Sequence, residues 1–340
     1  MLKYFEWSIG IMIVGLGLAF YRGECVANGL GLSFMLTALV ITALEVSLSF
    51  DNAVINATKL AKMTPIWRRR FLTWGIAIAV FGMRFIFPIV IVAAFAKISC
   101  AEVLRLTLEE PDAYAKLLHE SHIGISSFGG TFLMMLFFEF MLDKNKELHW
   151  IAPLEKLLLK LKCIPFAPTI FTILALGAIQ PALTAEQRIV SIVAGIIGIA
   201  IHLIIHGISA KLELLAENKN AFALKHAGLA AFIYLELIDA SFSLDGVLGA
   251  FALTKDVVII TIGLAVGAFF VRSITIMLVE KKTLEKLVYL THGAYWAIGA
   301  LAAIMLGSTF NEIPEVVTGG IGMALIIASL ISSLRVGKNN

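Results

Sequence analysis

Charge is scarce in this 340-residue chain: Asp, Glu, Lys and Arg make up 15% of it, against roughly a quarter in a typical soluble domain. With no dense basic face and no reader motif, nucleic-acid binding is excluded. Cysteine is scarcer still. Cys25, Cys100 and Cys163 have no metal-ligand spacing, which argues against a zinc site or a disulfide framework. No nucleotide-binding motif, cofactor motif or nucleophile–base pair appears, so the expectation is a protein that is not an enzyme and holds no cofactor. Linkers and low-complexity segments are also missing.

Apolar sequence is what the chain has. Hydrophobic residues make up 59% and the mean hydropathy is +0.93. Runs of about 20 apolar residues recur, as spanning helices require. Ten spans are expected, near 6–21, 32–57, 71–96, 122–142, 165–181, 189–209, 227–253, 257–279, 289–307 and 314–334. The fifth is short and bracketed by Pro165, Pro168 and Pro181, which suits a short, tilted or re-entrant helix. The first is read as a retained span rather than a cleaved signal peptide, because no clear small-x-small site follows it.

Charge orients these spans. With the N-terminus inside, nineteen of the 27 basic residues fall in inside loops, six in outside loops, and Arg84 and Arg272 within spans. That asymmetry places both termini in the cytoplasm of a bacterial-type inner membrane. Loop 97–121 is acidic and suits an amphipathic helix. Loop 143–164 alternates Lys and Leu, suiting a helix on the anionic inner surface.

Ten residues occur twice. Glu45-Val-Ser-Leu-Ser-Phe-Asp51-Asn-Ala-Val54 and Asp239-Ala-Ser-Phe-Ser-Leu-Asp245-Gly-Val-Leu248 both read acid, x, Ser, apolar, Ser, apolar, Asp, small, apolar, apolar. Each copy lies within an apolar run, where an acid at a helix centre costs about 2.5–3.5 kcal/mol on insertion scales. The repeat extends further. Thr73-Trp-Gly75 stands before Arg84 as Thr261-Ile-Gly263 stands before Arg272, and His122 precedes Gly129 as His292 precedes Gly299. Five spans separate the motif helices, so the halves have opposite orientation. The expected fold is all-α and polytopic, with about ten transmembrane helices in two inverted repeats, residues 1–181 and 182–340. In such proteins the substrate site lies at the midplane between the halves.

The motif geometry suggests a ladder of acids, with Glu45 and Asp239 central and Asp51 and Asp245 flanking. Thr42, Glu45, Ser49, Asn52 and Asn56 share one helical stripe; Glu236, Asp239, Ser243 and Gly246 share the matching one. The outer acids either face neighbouring helices or mark breaks near Asn52 and Gly246. The oxygen donors suit a hard divalent cation, Mg²⁺, Mn²⁺ or Ca²⁺. Ser49, Ser243 and Glu236 are further candidate ligands, and Arg84 and Arg272 are candidates to balance charge. The simplest structural reading, salt bridges alone, fails because two arginines cannot neutralise four acids. His202 and His206 stand four apart, a spacing that binds metal. With no acid near them in sequence, helix–helix hydrogen bonding is the commoner use. Glu139 and Glu236 have no acidic counterpart in the other half.

The Glu45–Val54 motif, with its Phe-Asp-Asn-Ala-Val core, resembles the membrane domain of the TerC family, named for tellurium resistance, within the LysE-type transporter superfamily. That resemblance, over roughly residues 30–335, implies a divalent cation exporter, with Mn²⁺ the foremost substrate. It also implies a cation site of Glu45, Asp51 and Asn52, with Asp239 and Asp245 opposite. The chain departs from the pattern at Asp239, Gly246 and Glu236. The expected partners are thus the transported ion and the lipid bilayer, with transport driven by protons or the membrane potential. Two rival readings are a transporter of Ca²⁺ or a cationic amino acid and a membrane scaffold with a structural metal.

Overall fold

The computed structural model describes residues 2–143, 146–161, 164–217, 221–281, 287–310, 313 and 315–336, with some side chains inside helices, including those of 241–245, outside the description. The described residues form helices and turns. In chain order the α-helices are α1 (Glu6–Val26), α2 (Gly31–Leu48), α3 (Phe50–Lys62), α4 (Pro65–Ala77), α5 (Phe87–Ala96), α6 (Cys100–Glu109), α7 (Pro111–Glu120) and α8 (His122–Met141). There follow α9 (Ala152–Lys160), α10 (Ala167–Ile179), α11 (Ala185–Glu217), α12 (Ala221–Leu253), α13 (Val257–Glu280), α14 (Leu290–Ser308) and α15 (Glu315–Val336). A π-helical stretch, Ile78–Ile86, joins α4 to α5.

Proline sets several boundaries. Pro65, Pro111, Pro153 and Pro168 each stand in the first turn of a helix, where the missing N–H has no partner to lose. Polar side chains cap some of the helix starts. Ser99 accepts from the Glu102 N–H at the start of α6, and Asp256 accepts from Val258 and Ile259 at the start of α13.

Seven helices among the described residues are long and apolar enough to cross a membrane: α1, α2, α8, α11, α13, α14 and α15. An eighth span results if Pro65–Gly75 and Ile78–Ala94, bent by 52°, count as one. This is fewer than the ten expected from sequence, and the difference lies in two elements. The fifth expected span is α10, 13 residues long and so only about 20 Å, short of the roughly 30 Å hydrocarbon core. The seventh falls in α12, which at 33 residues has length to spare but bears Glu236 and Asp239 in its middle.

Polarity is inverted relative to a water-soluble protein. Large apolar side chains face outward, among them Trp7 at 82% exposure and Trp74 at 70%, with Ile13, Leu18, Phe81, Leu174 and Ile189. Glu45, Asp51, Arg84, Glu236, Asp239 and Arg272 are inside. Lipid is the medium in which that distribution is stable.

Small residues let the helices approach. A Cβ on Gly263 would meet Ile41, and one on Gly267 would meet the Glu45 side chain, so α13 lies directly on α2. The Thr42 hydroxyl lies within hydrogen-bonding range of two carbonyl oxygens, Ala38 within α2 and Gly263 across the contact at 3.1 Å. Between α8 and α11, Thr131 Oγ1 lies 3.0 Å from the Gly195 carbonyl, with Gly198 against Phe128. Such small-residue contacts replace the hydrophobic drive that lipid removes. Phe140 stacks on Tyr295 at 3.8 Å where α8 meets α14.

The two polar loops are ordered against this bundle. Segment 97–121 forms α6 and α7, tied to the helix ends by Tyr114 against Phe251 and by the Lys255–Asp112 ion pair. Segment 146–161 holds α9, with Leu154 and Leu157 exposed. Glu155 of α9 is fully buried, accepting from the Trp296 indole at 3.0 Å and pairing with Lys146 at 3.0 Å.

Candidate functional site

The site is built where α2, α3, the π-helical stretch, α12 and α13 meet. Ser49, with φ −102° and ψ 13°, separates α2 from α3. The interruption thus falls one turn before Asn52, while the second motif continues unbroken through Gly246 within α12. Of the two breaks considered from sequence, the first is displaced to Ser49 and the second does not occur. An asparagine can end one helical run and begin another, but Gly246 has a reason to remain helical. A Cβ there would collide with Glu45 Oε2, so the glycine is the space into which the carboxylate fits.

Glu45, Ser49, Asp51, Asn52, Asn56, Arg84, Glu236, Asp239 and Arg272 are all buried, none more than 9% exposed. Arg84 is the hinge of their electrostatics. Its Nη2 pairs with Glu45 Oε1, its Nη1 lies 4.0 Å from Asp239 Oδ2, and Nη1 also donates to the Ala79 carbonyl at 2.6 Å. One guanidinium therefore bridges the first acids of both motif copies. The Ser49 hydroxyl donates to the same Glu45 Oε1 at 2.8 Å. The Asn52 side-chain amide donates to Asp239 Oδ1. Asp51 lies in the first turn of α3, and its Oδ1 accepts from the Asn52 backbone N–H at 2.9 Å.

The second arginine is placed differently. Arg272 donates to the Phe71 carbonyl and lies 3.9 Å over the Phe71 ring; among the described residues it forms no ion pair with an acid. It shares with Glu236 the space opposite Gly75, where a Cβ would strike both. Both Glu236 carboxylate oxygens lack a hydrogen-bond partner among the described residues, as do Asp239 Oδ2, Asn52 Oδ1 and Asn56 Oδ1. Two of these residues, Asn56 and Asp239, line a small cavity of about 20 Å³ together with Arg84, Arg272 and Thr275. That is room for a single water-sized body. Buried acceptors without donors are costly, and oxygen donors of this kind suit a hard cation.

Three acids, Glu45, Glu236 and Asp239, lie with Arg84 and Arg272 here, one more acid than arginine. Asp245 and Ser243, the remaining residues expected at the site, have side chains outside the described residues; their backbone lies in α12.

Two features were missed from sequence. The π-helical stretch places Arg84, and no residue pattern announces it; such widened turns gather at functional sites. The other is a second polar cluster. Glu139 of α8 reaches both His202 (Nε2 to Oε2, 3.2 Å) and His206 (Nε2 to Oε1, 2.8 Å) of α11. The acid that the histidine pair lacks in sequence arrives from 63 residues away.

Residues 50–340 match the family described as protein of unknown function (DUF475), and the chain belongs to that family. It is also 33% identical over 117 residues to the uncharacterized membrane protein YceF of Bacillus subtilis (strain 168). That match spans 34% of this chain and 45% of the relative, less than half of its length. No solved structure matches the chain.

Proposed function

We propose that this member of the DUF475 family is a secondary transporter of a divalent cation, Mn²⁺ foremost, exporting it by alternating access through the buried acidic site. One observation supports the reading above the others: Arg84 bridges Glu45 and Asp239 inside a buried cluster that also holds the unpartnered Glu236 carboxylate. A dication would enter beside the unsatisfied oxygens of Asn56 and Asp239 and compete with the guanidinium for Glu45 and Asp239. Arg84 then serves as a built-in surrogate for the substrate, keeping the acids paired when the ion has left, since a buried unpaired charge is far costlier than a paired one.

Residues from both motif copies take part. Glu45, Asp51 and Asn52 come from the first half, and Asp239 and Glu236 from the second, with Asp245 assigned to the same site by the repeat. Two inverted halves, 1–181 and 182–340, rocking about this point would expose it to either side in turn. Glu236, buried with both oxygens unpartnered, is the group we assign to proton exchange. Protons and cation would occupy the carboxylates alternately, which couples export to a proton gradient. Both termini face the cytoplasm of a bacterial-type inner membrane in this arrangement, following the basic-residue asymmetry.

The test is equilibrium Mn²⁺ binding to the detergent-purified protein, with and without excess lysine. The reading requires Mn²⁺ binding that weakens at least tenfold in Glu45→Gln and Asp239→Asn and is indifferent to lysine. Displacement of Mn²⁺ by lysine would instead identify a cationic amino-acid carrier. Glu45→Gln that fails to fold, with wild type retaining tightly held metal through dialysis, would identify a scaffold.

A further inference from the structure

We propose that Glu139, His202 and His206 form a second metal site, selective for a borderline dication such as Zn²⁺ or Co²⁺ and distinct in chemistry from the all-oxygen central site. The inference is independent of whether the central site transports anything.

The donors are already gathered. One carboxylate and two imidazole nitrogens lie within 4.8 Å of one another. The histidine–carboxylate separations are 2.8 Å from His206 to Oε1 and 3.2 Å from His202 to Oε2, so the carboxylate already joins both imidazoles; the ligand–ligand edge of a tetrahedral site with bonds of about 2.0–2.1 Å is roughly 3.3 Å. An ion would replace these contacts and draw the three donors, already within 4.8 Å, onto itself. Three protein ligands leave the fourth position for water, as in open zinc sites. The two imidazole planes are within 3° of parallel at 5.9 Å, a consequence of their i, i+4 spacing on α11.

The scaffold is rigid where it must be. Helices α8 and α11 are locked by Thr131 on Gly195 and by the Gly198 contact. His202 is 1% exposed and held edge-on by Phe132 at 5.2 Å. His206 and Glu139 are partly exposed, at 39% and 33% of their side chains, which leaves a route of entry. Tyr234 of α12 stands edge-on to both imidazoles, and its buried hydroxyl has no hydrogen-bond partner. A metal-bound water would supply one.

Donor softness separates this site from the central one. Imidazole nitrogen favours Zn²⁺, Co²⁺ and Ni²⁺ over Mn²⁺ and Ca²⁺, whereas an oxygen nest does the reverse. A chain with both would hold a borderline ion at α8–α11 while leaving the central oxygens to a harder one.

Co²⁺ is the probe. Full-length protein in detergent, titrated with Co²⁺, is expected to develop the visible d–d bands of a four-coordinate site at one equivalent, removed by adding Zn²⁺. His206→Ala and Glu139→Gln are expected to weaken that binding at least tenfold, while Asp239→Asn leaves the bands in place. A second measurement needs no variant: Zn²⁺ should protect His206 of the wild type from modification by diethyl pyrocarbonate, read by peptide mass spectrometry. Absence of the bands in wild type, bands that survive in His206→Ala, or His206 equally modified with and without Zn²⁺ would overturn the proposal and leave the cluster as hydrogen-bonded helix packing.

Discussion

The side-chain amide of Asn52 donates to the carboxylate of Asp239, joining two residues 187 positions apart. With Arg84 spanning Glu45 and Asp239, it ties one motif copy to the other at the level of single atoms. The amide also fixes which Asp239 oxygen stays unsatisfied: Oδ1 is taken, and Oδ2 is left facing Arg84 and the cavity.

Asn52→Ala removes that donor without removing charge. A lost hydrogen bond to a charged group costs about 1.5–3 kcal/mol, so the expected result is a Mn²⁺ affinity lower by roughly ten- to a hundredfold in a folded protein. Isothermal titration of the variant beside wild type checks it. An unchanged affinity would remove Asn52 from the site.

Arg84→Ala leaves Glu45 and Asp239 without their cation. Breaking a buried pair from one side typically costs about 3–5 kcal/mol, and lysine is no substitute, because one compact ammonium cannot serve both acids and the Ala79 carbonyl in the planar geometry of a guanidinium. The variant should melt lower in detergent than wild type and be stabilised more by added Mn²⁺, since the ion replaces the missing charge. Equal metal-induced shifts in the melting temperatures of the two proteins would argue against the competition between Arg84 and the substrate.

Gly246→Ala reverses a usual sign. In an exposed helix interior, alanine is favoured over glycine by about 1 kcal/mol. Here the added methyl group meets Glu45 Oε2 and must displace the carboxylate. The expectation is a folded protein of lower melting temperature with at least tenfold weaker Mn²⁺ binding. Gly320→Ala, whose Cβ would meet nothing within 4 Å, is the control and should bind as wild type does.

Glu155 makes the α9 loop sensitive to acid. Burial opposes ionisation of its carboxyl, but the Trp296 indole and the Lys146 ammonium outweigh it and hold the group below the usual glutamate range. A depressed folded value means that the contribution to stability is complete above the unfolded value near 4.5 and is lost as pH falls through the folded one. Hydrogen exchange over residues 146–161 should therefore be slow at pH 7 and accelerate below about pH 4.5, after correction for intrinsic rates. In Glu155→Gln the same segment should exchange fast at both. Protection that does not change with pH in wild type would refute the assignment.

The sequence made the outline of this molecule legible, for physical reasons. Apolar runs must span, so each of the ten expected spans meets a helix, although seven pass the length and hydropathy test by themselves. Acids inside such runs are expensive enough to announce themselves, which is why Glu45, Asp51 and Asp239 were identifiable and why the structure finds them buried together with Asn52 and Arg84. What could not be read was anything depending on a partner far along the chain. Glu139 looked like an acid at a helix end, and the histidine pair looked unpartnered, until α8 and α11 were set side by side. Arg84 and Arg272 occupy matched positions in sequence yet meet different groups, because one lies in a π-helical stretch and the other in a regular helix. The interruption at Ser49 is likewise invisible in the sequence, because serine is at home in either setting.

The most direct test of cation passage through the acidic cluster is flux in proteoliposomes, with Mn²⁺, Ca²⁺ and Mg²⁺ offered separately and a proton gradient imposed or absent. Wild type should move Mn²⁺, faster with the gradient, and folded Asp51→Asn and Asp239→Asn should move none. Wild-type vesicles no more permeable to any of the three ions than protein-free ones, or full Mn²⁺ flux in the two variants, would contradict it.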